Sequence, residues 1–322
     1  MIISINAKIE SMSAQQLPPD SIKTPVAFFI FKRPEQTTRV FEVIRHSKPA
    51  RLYVIADGPK DPDETESCRK VRAIVEQVDW DCEVKRNYAD TNLGLRDRIV
   101  SGMDWVFEQE ECAIILEDDC LPHPSFFRFC EELLEHYRDD LRVMHISGNN
   151  FLQGKNIPSA SYYFSKYAHV WGWAAWRRAW SLFRSWDTFS PALDLHIFRS
   201  RSERDLWTNL LGQLRSRRMD HTWDYQWALV CMAYKSLCIM PKNNLVSNIG
   251  FGQAGTHTQD ESWLANMPLG PMEFPLIHPE KMQWNTPADQ ITAKHFFNAT
   301  GLRGIVKSFL FRSIKGILSR VL

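Results

Sequence analysis

Apolar and polar positions alternate in blocks along the first half of the chain. Residues 25–31 (PVAFFIF) form an unbroken apolar run closed by Lys32-Arg33-Pro34. That is the pattern of a strand buried on both faces and ending in a loop. Residues 37–45 then place Val40, Phe41 and Ile44 at helical spacing. A second apolar run at 51–56 (RLYVIA) is stopped by Asp57-Gly58-Pro59. Residues 61–77 are charged with a helical period, 82–87 alternate like a strand, 95–107 are helical again, and 112–116 (CAIIL) read as a further buried strand. Strands alternating with helices up to residue 150 predict an α/β fold, a mostly parallel sheet flanked by helices. Ligands of such sheets bind at the carboxyl ends of the strands. Three predicted strands end in polar groups: Arg33, Asp57 and the run Glu117-Asp118-Asp119.

The texture changes near residue 151, where Trp-rich loops and helices replace clear periodicity. Residues 1–24 are polar around a Pro-Pro break and predict a loose lead-in. Residues 25–150 and 151–300 are expected to be two halves of one domain, the second Trp-rich and building the acceptor side of a cleft. In 301–322, Arg303, Lys307, Arg312, Lys315 and Arg320 stand without an acid among Ile305, Val306, Phe309, Leu310, Ile314, Ile317 and Leu318. This tail reads as an amphipathic helix, suited to an anionic membrane surface or to docking on protein.

Composition narrows the class. A chain of 322 residues with 44% apolar and 24% charged residues can bury a real core. The net charge of +1 gives no global field for nucleic acid or another polyanion. The seven cysteines include no C-x-x-C pair, so they read as reduced, mostly buried side chains. The first twenty residues lack a basic start followed by an apolar core, and no apolar run approaches the roughly 18 residues that span a bilayer. The expectation is a cytoplasmic protein, with 301–322 offering peripheral contact to the membrane face. Twelve Trp and nineteen Phe are many, and several Trp sit beside polar residues, as on a surface that stacks sugars.

The acidic run is the strongest chemical signal. Glu117-Asp118-Asp119 directly follows an apolar strand, and Pro122 and Pro124 constrain the loop after it. In an extended chain Glu117 and Asp119 point one way and Asp118 the other. Carboxylates this close need a cation or hydrogen-bond donors to offset them, and Mg²⁺ or Mn²⁺ commonly share such ligands with substrate phosphates. A solvated acidic loop or a helix N-cap is the plainer alternative. The segment 99–127 (IVSGMDWVFEQEECAIILEDDCLPHPSFF) resembles GT-A glycosyltransferases related to N-acetylglucosaminyltransferase I. It is similar also to a bacterial group described as glycosyltransferases or hemolytic-protein-like. The resemblance extends over about residues 25–257 and implies a GT-A, Rossmann-like fold with 25–150 as the nucleotide-sugar-binding half. It implies that Asp119 is a metal ligand, that Glu117 and Asp118 line the ribose and sugar side, that Arg33 contacts the diphosphate and that Asp57 reads the nucleobase edge. Arg33 also suits a surface position before a proline, and Asp57-Gly58 an ordinary turn.

The second half adds three candidates. Residues 171–176 (WGWAAW) hold three indoles around Gly172. Trp173 and Trp176, three apart, also suit one buried helical face, and the resemblance places Trp171 and Gly172 against the donor sugar. Asp224 lies in Thr222-Trp223-Asp224-Tyr225-Gln226-Trp227, where aromatic neighbours desolvate a carboxylate and make it a better proton acceptor. The family has a second acid here as catalytic base; this chain has Tyr225 and one extra residue before Trp227, so Asp224 is the acid left for that role. It also suits a helix N-cap. Residues 248–257 form a glycine-rich loop that resembles a loop closing over bound donor, and His257 is a candidate metal or phosphate contact. Together these predict a metal-dependent (Mn²⁺ or Mg²⁺) glycosyltransferase of saccharide biosynthesis, moving a sugar from a nucleotide-sugar to a saccharide or lipid-linked acceptor with inversion. The alternatives are a sugar-1-phosphate nucleotidyltransferase, which would want glycines after the first strand where Phe31-Lys32-Arg33-Pro34 has none, and a non-catalytic carbohydrate-binding protein.

Overall fold

In a computed structural model, residues 21–155, 160–186, 192–219, 221–251 and 264–298 are described. The glycine-rich loop beyond residue 251, His257 and the basic tail 301–322 lie outside the described residues, as do residues 1–20 of the lead-in. Residues 22–24 are docked: the Lys23 and Thr24 amides donate to Glu131 Oε1 at 2.7 and 2.9 Å, and Ile22 is buried.

The first half folds as β1 (Val26–Ile30), α1 (Pro34–Ser47), β2 (Arg51–Ala56), α2 (Thr65–Val75), β3 (Glu83–Tyr88), α3 (Leu95–Gln109) and β4 (Cys112–Glu117). The second contributes β5 (Cys120–Pro122), α4 (Ser125–His136), β6 (Val143–Ser147), β7 (Tyr162–Ser165), β8 (Trp173–Trp176), α5 (Arg177–Arg184), α6 (Arg201–Arg215), α7 (Asp224–Ala233), β9 (Leu237–Pro241), β10 (Val246–Asn248) and α8 (Thr286–Asn298). Pro34 opens α1 at a position where the missing N–H costs nothing. The Ser200 hydroxyl caps α6 by accepting from the Glu203 amide at 3.1 Å.

Eight strands form one sheet in the order β3-β2-β1-β4-β8-β6-β9-β7. β3, β2, β1, β4, β6 and β9 run one way and β8 and β7 the other, so the sheet is mostly parallel. Strands from both halves of the chain share it. β5 and β10 form a separate antiparallel pair.

Strand alternation splits the core in two. Ala27, Phe29, Tyr53 and Ile55 face a layer with α3, α5, α6 and α7, while Val26, Phe28, Ile30, Leu52, Val54 and Ala56 face α1, α2 and α4. Fully burying a Val, Leu, Ile or Phe side chain contributes about 1.5–3 kcal/mol, which is why β1 must be apolar at every position.

Two expectations need correction. Trp173 and Trp176 lie on strand β8, not on a helix, and an odd separation in a strand sends them to opposite faces. Trp173 joins the first cluster and Trp176 the second. Nor do Trp173, Trp180, Trp223 and Trp227 form a sugar-stacking surface: they pack on one another, with Trp173 and Trp223 5.6 Å apart and near-parallel. All seven cysteines are free, five of them buried. Among the described residues no helix is long and apolar enough to cross a membrane.

Candidate active site

Because β2, β1 and β4 are adjacent and parallel, their carboxyl ends lie level: Ile30 pairs with Ala56, and Phe29 with Glu117. The residues just beyond these strands line one cavity of about 260 Å³. Arg33, Asp57, Glu117, Asp118, Asp119, Trp171 and Asp224 all reach it, although they lie far apart in the chain. Gly172, next to Trp171, supports the wall from behind. Its φ of 64° and its contact with the Val246 side chain leave no place for a Cβ.

The three acids do not alternate as an extended chain would. β4 stops at Glu117, and Asp118-Asp119 form a turn into β5, so all three carboxylates line the same cavity. Asp118 is buried and accepts from the Phe31 amide at 3.0 Å and from Arg33 Nη1 at 3.3 Å. Arg33 Nη1 lies 2.5 Å from Asp119 Oδ2. Burial pushes the Asp118 carboxyl up to about 6, against the pull of Arg33 and with the push of Asp119. Burial alone would lower the Arg33 guanidinium, but Asp119 and Asp118 outweigh it and hold the group above its usual range. The Ile249 amide donates to the Asp119 carbonyl at 2.8 Å, and Gly250 sits against the Asp119 carboxylate with no room for a side chain.

Asp57 forms the opposite wall. Its Oδ1 accepts from the amides of Gly58 and Leu93, both at 2.9 Å, and its Oδ2 from Asn92 Nδ2 at 2.9 Å and the Gly94 amide at 3.2 Å. Four bonds use the acceptor positions of a carboxylate. In this arrangement Asp57 braces the turn at 92–94, with no position left to receive a base N–H. Burial raises its pKa, and the three amide donors and Arg98 only partly counter that.

Arg98, on α3, also lines the cavity and is buried. Its Nη2 donates to Asn87 Oδ1 at 2.9 Å and to the Asn87 carbonyl, while its Nε has no hydrogen-bond partner. Sequence reasoning passes over Arg98, because in the run Leu95-Arg96-Asp97-Arg98 it looks like one more charge on a solvated helix face.

The far wall is built around a buried histidine. His145, on β6, is stacked on Trp173, and Trp227 Nε1 donates to its Nδ1 at 3.2 Å. Its Nε2 therefore carries the proton and donates to the His169 carbonyl at 3.0 Å. Burial pushes His145 down to about 3, so this tautomer is neutral and fixed. The Ser147 hydroxyl donates to the same carbonyl at 2.9 Å. These bonds pin the loop that presents Val170 and Trp171 to the cavity. Trp171 meets Phe151 and Phe251 edge to face at 5.6 and 5.7 Å. Asp224 is the first residue of α7 rather than its cap; it is half-buried and accepts from the Thr222 hydroxyl.

The acids attract a cation here: the Arg33 guanidinium stands against Asp118 and Asp119. Among the described residues no three His, Cys, Asp or Glu side chains converge as a closed metal site.

No family model matches the chain. No curated protein matches it either. Among solved structures it is similar to "UDP-glucose pyrophosphorylase complexed with UDP-glucose", with a TM-score of 0.37 and 11% identity over 68% of this chain and 90% of that one. A likeness this distant carries no inference about activity.

Proposed function

We propose that the chain is a glycosyltransferase that moves a sugar from a nucleotide-diphospho-sugar to a hydroxyl of a saccharide or lipid-linked acceptor, with inversion. The observation that supports this most is the position of Asp224. It faces the cavity that holds Arg33, Asp118 and Asp119, and it also lines a second, adjoining cavity. A proton acceptor shared by the cavity assigned to the donor and a second pocket is what a direct displacement needs.

In this reading the diphosphate lies across the ends of β1 and β4, where the Arg33 fork suits its oxygens. A Mg²⁺ or Mn²⁺ ion held by Asp119, with Glu117 beside it, would neutralise charge on the departing diphosphate. Asp118 fixes the turn through the Phe31 amide, and Trp171 bounds the sugar. Asp224 takes the proton of the acceptor hydroxyl as its oxygen bonds to the anomeric carbon. The bond from that carbon to the diphosphate oxygen breaks, and the diphosphate leaves with the electron pair. One displacement inverts the anomeric centre. Asp57 enters as the brace of the wall rather than as a reader of the base.

The test is a panel of UDP-, GDP- and dTDP-sugars with Mn²⁺ and a mixture of methyl glycosides, scored for nucleoside diphosphate and glycosylated product. The expected result is product from at least one donor, with the rate reduced about a hundredfold or more in Asp224→Asn, as general-base removal does. Release of pyrophosphate from a nucleoside triphosphate and a sugar phosphate would instead identify a nucleotidyltransferase. Product formation unchanged in Asp224→Asn would remove the base assigned here.

A further inference from the structure

Asp57 reaches the first cavity, yet its four hydrogen bonds leave it nothing to offer a ligand. The side chain beside it is different. Asn92 is half-buried and lines the same cavity. Its Nδ2 donates to Asp57 Oδ2 at 2.9 Å and to the Gly58 carbonyl at 3.0 Å. A backbone carbonyl can only accept, so the Gly58 contact fixes which end of the amide carries the nitrogen. Both N–H groups of Asn92 are thereby used, and its Oδ1 accepts from no described residue. What Asn92 has for a ligand in the cavity is therefore an acceptor, oriented by the turn that Asp57 braces.

Arg98 supplies the opposite chemistry. It lines the cavity too, and it lies near enough to Asp57 for each charge to act on the other. A guanidinium has donors only. Its Nη2 is spent on Asn87, and its Nη1 donates to no described residue. Leu95 and Ile99 stand three and four residues along α3, so they share a helical face with Arg98, and Ile55 precedes Asp57 on β2; all three line the cavity. Leu95 is 43% exposed although apolar, so a flat ring lying on it would take that surface out of water.

An apolar wall with one oriented acceptor and one cationic donor matches one class of nucleobase. Uracil and guanine present a ring N–H beside a carbonyl oxygen. Cytosine and adenine present a bare ring nitrogen beside an amino group, which reverses both polarities. We propose that this end of the cavity reads the nucleobase, with Asn92 Oδ1 accepting the ring N–H and Arg98 donating to the adjacent carbonyl, and that it selects the keto base over the amino base of the same size. The inference rests on the nucleotide-diphospho-sugar reading and narrows the donor within it. An amino base would set its bare ring nitrogen against the Asn92 oxygen, with no proton between two acceptors. It cannot slide along to exchange partners, because its ribose is tied to a diphosphate held at Arg33.

The test is calorimetry of UDP, CDP, GDP and ADP with Mn²⁺ on the full chain. The N3-methyluridine or N1-methylguanosine form of whichever keto nucleotide binds tighter follows. That nucleotide is expected to bind at least tenfold tighter than its amino counterpart, and methylation should weaken it about tenfold or more, as loss of a paired buried group does. Asn92→Ala removes the acceptor and leaves room for the methyl group, so the gap between parent and methylated nucleotide should shrink to about twofold or less. A role for Asn92 in holding the turn alone would weaken both nucleotides alike and leave the gap. The inference is overturned by a gap that survives Asn92→Ala, by methylation without effect, or by an amino nucleotide that binds as tightly as its keto counterpart. The wild-type titrations decide even where Asn92→Ala fails to fold. The two readings fail separately: nucleotide bound without base preference removes this subsite alone, whereas no binding of any of the four removes the transferase reading and the subsite with it.

Discussion

Asp289 offers a test of the electrostatics beneath the second cavity. It lies on α8, buried, where its Oδ1 accepts from the Ser165 hydroxyl at 2.6 Å and its Oδ2 from the Lys166 amide at 3.3 Å. Lys166 Nζ is 2.6 Å from Glu203, whose carboxylate also receives the Tyr167 hydroxyl of the cavity wall. Burial pushes the Asp289 carboxyl from 3.8 up to about 7; Ser165 and Lys166 pull it back and Glu203 adds to the rise. The folded state therefore holds a proton that the unfolded chain releases near pH 4. The stability from that proton is complete below about pH 4 and is lost as pH rises to about 7. At about 1.36 kcal/mol per unit, the loss is roughly 4 kcal/mol. Asp289→Asn mimics the protonated acid: its carbonyl still receives Ser165, and the amide facing the Lys166 N–H costs about 1 kcal/mol. The variant should match or slightly trail the wild type near pH 4.5 and exceed it by about 3 kcal/mol near pH 8. Urea midpoints at the two pH values measure this, with a difference of about 0.8–1 M expected at pH 8 for a slope near 3–4 kcal/mol/M. Parallel pH profiles for the two proteins would show that Asp289 holds no such proton in the folded state.

Two further substitutions probe the first cavity and its support. Gly250→Ala drives a methyl group into the Asp119 carboxylate, and a displacement near 1 Å is enough to cost about a hundredfold in a positioned site; calorimetry should show nucleotide–Mn²⁺ affinity falling at least tenfold while the melting temperature moves by a few degrees at most. Trp173→Ala removes the indole that contacts Trp223, Trp227 and His145; urea unfolding should show a loss of about 3–5 kcal/mol, and a loss below about 1 kcal/mol would mean that the tryptophan cluster is not a packed core.

The parallel core of the sheet is legible in the sequence because strands buried on both faces must be continuously apolar, as Val26–Ile30 of β1, Leu52–Ala56 of β2 and Cys112–Leu116 of β4 are. Their polar terminators then mark one edge, which is why Arg33, Asp57 and the acidic run can be grouped from sequence alone. The residues just past a strand are less legible. Alternation assigns Asp118 to the far side from Glu117 and Asp119, but the turn at 118–119 ends the extended geometry and brings all three together. Trp173 and Trp176 fit a helix by spacing, and only pairing with β4 and β6 makes them a strand. Asn149, Trp207 and Arg98 carry no local signal. Each has a buried side-chain atom without a hydrogen-bond partner and belongs to a cavity wall, a property of packing that no window of sequence contains. The two short strands β5 and β10, three residues each, are equally silent until they pair.

Everything proposed for the first cavity depends on a diphosphate site at the ends of β1 and β4. Isothermal titration of UDP, GDP, CDP and dTDP into the chain, with and without Mn²⁺, probes that site when Asp119→Ala is titrated beside the wild type. Micromolar binding of at least one of these diphosphates with Mn²⁺ is expected, weakened at least tenfold both by leaving out the metal and by Asp119→Ala. Absence of binding by all four, or an affinity indifferent to Asp119, would mean that no metal–diphosphate site exists there.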